Sequence, residues 1–280
     1  MSGQTAAPVL QAGWKYALDN NHPVAASHHH GLTTLFDPFS TARTAALLDL
    51  TGRRCLEVGA GAGSYARWLA GQVGRNGEVL AIDIKPDLLA AEPDLAQLTV
   101  RRVDITDEEQ LRVRVGGGWD LIHARLVLGH LPSRSTVLAR LAQLLAPGGV
   151  LLVEDWYRAS GDPVICAPSP EAAQAYRAFH TVQGRCFQEA GTDPTWSRRA
   201  YRSMREIGLV DVQTVIHGTA WPGGGTGCAL IASSAAQLRP RLLAFGLTDE
   251  DLALLSELLN DPRLVLAGHL LYSTSGRRAA

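Results

Sequence analysis

Short apolar runs alternate with helical stretches over the first half of the chain. Residues 55–58 form an apolar run broken only by Glu57. It ends in three glycines at alternate positions, Gly59, Gly61 and Gly63, and residues 64–70 then carry helical spacing. Residues 77–84 read as a second buried strand containing Asp83, and residues 98–103 as a third that ends just before Asp104. A fourth begins at residues 120–123 after Gly116-Gly117-Gly118. A helical stretch over 133–145 and the break Pro147-Gly148-Gly149 precede a fifth at 150–153. Strands alternating with helices at this spacing predict a parallel sheet covered on both faces, with right-handed crossovers. Ligands of such sheets bind at the carboxyl ends of the strands.

The flanks have a different rhythm. Residues 14–50 read as two or three short helices, with breaks near Asn20-Asn21-His22-Pro23 and at Asp37-Pro38, since proline disfavours helix in the residue before it. Their rings and imidazoles pack on the main domain or form a lid. Residues 156–208 show no clear strand but two helical stretches, 170–190 and 197–207. Strand character resumes at 210–216 and 264–273, with helices at 235–245 and 248–259 and a glycine-rich loop at 222–227. The expected division is a helical lid (1–50), a ligand-binding core (51–155), a helical cap (156–208) and the C-terminal part of the sheet (209–280).

Composition narrows the class of partner. The 280 residues are 46% hydrophobic and 19% charged with a formal net charge of −1, which gives no electrostatic case for nucleic acid or an anionic membrane. A small molecule is the default. The four cysteines, Cys55, Cys166, Cys186 and Cys228, are scattered and imply neither zinc nor disulfides. The N-terminal stretch lacks a basic start before an apolar core, and no apolar run approaches about 18 residues, so a cytoplasmic protein is expected, with a homodimer as one assembly the reading allows.

The glycine turn carries the chemistry. Its glycines permit positive φ and remove side chains, and the following helix N-terminus offers free N–H donors to a negative group. Such a turn alone fits several nucleotide-binding folds. Its neighbours, Glu57 before it, Asp83 and Asp104 at later strand ends, and Pro147-Gly148-Gly149, make the chain resemble the class I S-adenosylmethionine-dependent methyltransferases. The likeness is strong over residues 50–155. Leu18-Asp19-Asn20 together with the stretch 55–64 is similar to an actinomycete-type small-molecule subgroup.

That resemblance implies a Rossmann-like α/β fold with a seven-stranded, mostly parallel sheet, an N-terminal helical lid and a helical insertion after strand five. It implies S-adenosyl-L-methionine as cofactor and S-adenosyl-L-homocysteine as product. Asp83 would accept both ribose hydroxyls and Ile84 would pack on the adenine. Asp104 would take the adenine amine, with Ile105 donating its backbone N–H. Glu57 with Gly59, Ala60 and Gly61 would hold the methionine portion, and His123 and Ala124 would line the sulfonium. For Asp83 or Asp104 taken singly, helix capping is the competing role. A nicotinamide-dependent oxidoreductase is the rival enzyme. Its fingerprint needs a third glycine where Ser64 stands, and Glu57 would crowd a diphosphate. A non-catalytic protein that binds the same cofactor is the other alternative.

Methyl transfer from a sulfonium needs an acceptor held in line and water excluded, with a general base where the acceptor is a phenol. Candidate catalytic residues are Asp155, at the end of the fifth strand, His130 and Tyr16. Trp14, Arg125, Trp156, Tyr176, Phe179 and His180 are candidates for holding a flat, phenol- or indole-like acceptor of secondary metabolism, such as antibiotic biosynthesis. For Arg125 two roles stand side by side, binding an acceptor carboxylate or forming a structural ion pair with Glu57 or Asp155. Consecutive helical histidines diverge by about 100°, so His28-His29-His30 does not converge on an ion and no metal is expected.

Overall fold

The computed structural model describes residues 17–19, 22–90, 95–158 and 161–280. In chain order its elements are α1 (Ala25–Leu47), β1 (Arg54–Val58), α2 (Ser64–Val73), β2 (Glu78–Asp83), α3 (Asp87–Ala90), β3 (Leu98–Arg102), α4 (Glu108–Gln110) with a π-turn after it, β4 (Trp119–Arg125), α5 (Arg134–Gln143) and β5 (Leu145–Tyr157). There follow β6 (Val164–Cys166), α6 (Pro170–Glu189), α7 (Trp196–Glu206), β7 (Val210–His217), β8 (Ala220–Pro222), α8 (Thr226–Ala244), α9 (Asp249–Asn260), β9 (Val265–Ala267) and β10 (Leu270–Arg277).

Seven strands form one sheet in the order β3-β2-β1-β4-β5-β10-β7. The first five are parallel neighbours, and β10 runs antiparallel between β5 and β7. Period-two alternation splits the sheet residues between two layers. Leu56, Val58, Leu80 and Ile82 face one side, where Val137, Leu138 and Leu141 of α5 and Met204 of α7 cover them. Cys55, Val79, Leu121 and Leu152 face the other, under Tyr65, Leu69 and Val73 of α2. The alternation also places Glu57, His123 and Glu154 on this second face, with Glu57 opposite His123 and Glu154 two residues beyond the position opposite His123 on β5.

Three expectations are corrected. The break at Asp37-Pro38 is absent: α1 is one helix of 23 residues that runs through Pro38. Phe36, Ser40 and Thr44 are buried along it, and this packing outweighs the backbone hydrogen bond that proline removes. The division of the chain also differs. Helix α7, expected in the cap, packs against β5, β7 and β10 as part of the sheet's own layer. The cap is instead composite: α6 and β6 come from the insertion after β5, and β8, α8, α9 and β9 come from within residues 209–280. These pieces join through a small sheet of order β6-β9-β8 and an apolar cluster that includes Tyr176, Phe179, Leu230, Leu238 and Leu266. Consequently the strand expected over 264–273 is two strands, β9 in the cap and β10 in the main sheet.

Helix α1 lies against α8, and Gly31 permits the contact, since a Cβ there would stand 3.2 Å from Leu230 Cδ1. The lid and the cap are therefore one packed body over the carboxyl ends of β4 and β5. Among the described residues no helix is long and apolar enough to cross a membrane.

Candidate functional site

The turn after β1 is shaped by its glycines, with φ of +71° at Gly59, +54° at Gly61 and +81° at Gly63. These left-handed values are strained for any residue with a Cβ. A Cβ on Gly59 would also fall 2.3 Å from Val127 Cγ2, in the loop after β4. Asp83 ends β2 beside this turn. Its Oδ2 accepts the Gly61 N–H at 3.0 Å and its Oδ1 the Lys85 N–H at 2.8 Å. A carboxylate oxygen has two lone pairs, so each retains capacity for a further donor. Ile84, next in the chain, is 43% exposed at the sheet's edge. Asp104 is exposed, with Oδ1 taken by Thr106 N and Oγ1 at 2.8 and 2.7 Å. The Ile105 side chain is core, leaving only its backbone for a ligand.

Beneath the turn lies a buried polar seam. Glu57 Oε2 stands 2.6 Å from His123 Nδ1, and His123 Nε2 stands 3.2 Å from Glu154 Oε2. Ser40 of α1 donates to the same Glu154 oxygen at 2.5 Å and accepts from Arg125 Nη1 at 2.9 Å. Arg125 Nη2 reaches Asp37 Oδ1 at 2.6 Å. The Tyr65 ring stacks on His123 with centroids 4.0 Å apart. Burial alone would discharge His123, but the flanking carboxylates outweigh it and raise its pKa to about 9. For Glu154 burial pushes up, yet the bonds from His123 and Ser40 win and its pKa falls. For Glu57 burial prevails over His123 and the shift is upward.

These positions revise several roles. His123 and Ala124 are fully buried, so neither side chain lines a ligand. Glu57 is 4% exposed, and its Oε2 is engaged by His123. Arg125 is an ion-paired residue, but its partner is Asp37 rather than Glu57 or Asp155, and it does not open toward an acceptor.

Above the strand ends is a cavity of about 370 Å³. Asp155, Gly129 and His130 line one part of it, and Trp156, Arg158 and His180 another. The sheet, lid and cap all contribute walls. Tyr176 and Phe179 of α6 do not: they are buried in the cap's core, because they occupy the helix face turned to α8 and α9. Trp14 and Tyr16 lie outside the described residues. Asp155 Oδ2 accepts the Gly129 N–H at 3.2 Å, but burial dominates and raises its pKa to about 7. His130 Nδ1 pairs with Thr192 Oγ1 at 2.9 Å and His28 Nδ1 with Ser233 Oγ at 3.1 Å. Burial lowers each to about 4, so both imidazoles are neutral at pH 7. The histidine triplet diverges: His28 turns to the cavity wall, while the His29 ring lies 3.1 Å from the site of a Cβ on Gly61.

Sequence reasoning missed Leu126, Arg158, Gln183 and His269 among the lining residues. Leu126 carries φ of +57°, unusual for leucine and the kind of strain that collects at functional sites. Nothing local in the sequence marks it.

The model of a methyltransferase domain matches residues 56–151. Methyltransferase str3 of Strobilurus tenacellus is 34% identical over 46% of this chain and 43% of its own length. The chain thus spans less than half of that relative. The ubiquinone biosynthesis O-methyltransferase of Xanthomonas oryzae pv. oryzae is 30% identical over 61% of this chain and 71% of the relative. The chain belongs to the class I S-adenosylmethionine-dependent methyltransferases. Its fold is also that of the putative sarcosine dimethylglycine methyltransferase from Galdieria sulphuraria, at a TM-score of 0.51 and 17% identity, covering 94% of this chain and 93% of that one.

The residues present fit the family's cofactor. The side-chain-free turn leaves room against the backbone, Asp83 keeps acceptor capacity at the end of β2, and Ile84 offers an exposed apolar face beside it. When bound, S-adenosylmethionine supplies a methyl group activated on a sulfonium.

Proposed function

We propose that this chain methylates a small organic acceptor held in the cavity beside Asp155. The acceptor would be a flat, phenol- or indole-like molecule. The observation that carries the reading is Asp155 itself: a buried carboxyl raised to about 7 on the wall of the cavity between sheet and cap. A carboxyl with that pKa is half ionised near neutrality, the condition under which a general base works best. Asp155 would accept the acceptor's proton, while Leu32, Leu126 and Leu230 exclude water around it. Asp83 would hold the ribose, and Asp104 and the Ile105 N–H the adenine. His130, neutral and bound to Thr192, would shape the wall rather than move a proton.

Three measurements test this. Calorimetry should show S-adenosylhomocysteine binding and no binding of NAD(P), and the reverse would overturn the proposal. Asp83→Ala should weaken that binding at least about tenfold by leaving ribose hydroxyls unpaired. Unchanged affinity would remove the ribose assignment. Incubation with methyl-labelled cofactor and small-molecule extracts should then label a product. Cofactor binding without transfer to any extract component would favour a binding protein.

A further inference from the structure

The cavity wall contains a cation, Arg158, with no counterion among the described residues. Arg158 follows β5, and its polar partner among the described residues is a neutral one, the His180 carbonyl at 3.0 Å from Nη2. It forms no ion pair within 4.0 Å with any described carboxylate. Burial lowers its pKa to about 10, so it remains charged at pH 7. Two ionisable neighbours supply no charge: burial raises both the Tyr176 phenol and the Cys186 thiol, which stay protonated. Burial and then Arg158 lower His180 to about 4, and burial, Arg158 and His180 lower His269. Both imidazoles are neutral. The Phe187 ring lies 6.0 Å from the guanidinium.

A partly buried guanidinium that lacks an anion is poorly compensated, and its usual partner is a carboxylate or phosphate bound through its planar fork. Other polar groups on this wall are also unmatched. The Trp156 indole N–H and the Gln183 amide oxygen are buried without a hydrogen-bond partner among the described residues, and both residues line the cavity. On the other part of the wall Asp155 is acidic, so an anionic ligand is repelled there and drawn to Arg158. The remaining surface is largely apolar, with Leu32, Leu126, Leu230 and Ile231. A volume of about 370 Å³ is at the small end for ligand sites.

We infer that the acceptor is an aromatic or heteroaromatic carboxylic acid, its carboxylate bound by Arg158 and its methyl-accepting group turned toward Asp155. The inference rests on the reading of this cavity as the acceptor site. The guanidinium selects the acid over its neutral derivatives and fixes which end of the ring faces the cofactor.

The test is calorimetric titration of the full chain, with S-adenosylhomocysteine present, using hydroxybenzoates, 4-hydroxycinnamate and indole-3-carboxylate, each beside its methyl ester. At least one acid should bind 10-fold or more tighter than its ester. Arg158→Met should weaken that acid by about 10- to 100-fold and leave the ester within about twofold, while Arg158→Lys retains part of the preference. A merely structural arginine would weaken acid and ester together, which overturns the proposal. So does equal binding of acid and ester by the wild type, or binding of no acid in the series. Should Arg158→Met fail to fold, the wild-type ratio and Arg158→Lys still decide. S-adenosylhomocysteine titrated alone separates the two readings. Its failure to bind removes the methyltransferase proposal whatever the acids do, and its binding beside indifferent acids removes only the role of Arg158.

Discussion

Glu154 and Asp155 are consecutive residues of β5, both buried, and their carboxyl groups shift in opposite directions. Glu154 turns to the face of α1 and α2, receives bonds from His123 and Ser40, and is held below the ordinary carboxyl range although burial opposes it. Asp155 turns the other way, has the Gly129 N–H for its acceptor site, and is raised by burial to about 7. The histidines divide in the same manner. His123 lies between two carboxylates and is raised to about 9, whereas His28, His130 and His180 on the cavity wall are lowered to about 4. Burial is common to both regions. What separates them is whether the fold supplies an opposite charge: the seam is ionised and holds strands to lid, and the cavity is kept largely neutral, with its charge needs left for a ligand.

The largest effect should come from breaking the seam. His123→Phe leaves Glu57 and Glu154 facing an apolar ring, and removal of one partner from a buried ionic group costs roughly 3–5 kcal/mol. His180→Phe, in the cavity, replaces a neutral imidazole and should cost less than about 1.5 kcal/mol. Urea unfolding at pH 7 compares them, and equal losses would mean that the seam is not ionised. The sign with pH follows. The pKa of His123 is raised in the folded chain, so its contribution is full below the unfolded value of 6.5 and is lost as pH rises through about 9. The gap between wild type and His123→Phe should therefore narrow from about pH 6.5 to about pH 9 and change little above that.

On the cavity side, Asp155→Asn should lower the methylation rate by about 100-fold if the carboxylate takes the acceptor's proton. The wild-type rate should rise with pH and level off above about 7, and the variant's residual rate should lack that rise. Stability should move the other way. A carboxyl whose folded pKa is raised stabilises the fold below about 4 and loses that contribution as pH climbs through about 7, so wild type should lose stability relative to Asp155→Asn across that window. A parallel pair of stability curves would show that Asp155 is not perturbed.

The two regions were unequally legible in the sequence. The strand-turn-helix around Gly59, Asp83 at the end of β2 and the alternation that sets the sheet are local patterns, each carried by a few neighbouring residues. Asp155 was legible because a strand end is a place the fold reserves for ligands. The partners of His123 were not, because Glu57 comes from β1 and Glu154 from β5, and only the pairing of β1 and β5 with β4 brings them together. The composite cap was hidden for the same reason, as β6 and β9 pair across about 100 residues of chain. Pro38 misled directly: its local cost is real, but Phe36, Ser40 and Thr44 bury the helix around it. Arg158 reads in sequence as one more arginine, and only the lack of a carboxylate beside it sets it apart.

The smallest expected effect compares a single hydroxyl in each region. Ser40 Oγ donates to the Glu154 carboxylate and accepts from the Arg125 guanidinium, so its two partners are charged and one is fully buried. Hydrogen bonds to charged groups contribute about 1.5–3 kcal/mol, and Ser40→Ala should lose an amount in that range. Thr192 Oγ1 pairs with His130, a neutral imidazole, and Thr192→Val should lose only about 0.5–1.5 kcal/mol. Both substitutions remove one hydroxyl at nearly constant shape, so packing contributes little to the difference. Urea unfolding at pH 7 and again at pH 5 reads the contrast, because His123 stays protonated across that interval and the cost of Ser40→Ala should hold steady. A Thr192→Val loss as large as that of Ser40→Ala would mean that His130 carries charge, and the cavity would then resemble the seam instead of opposing it.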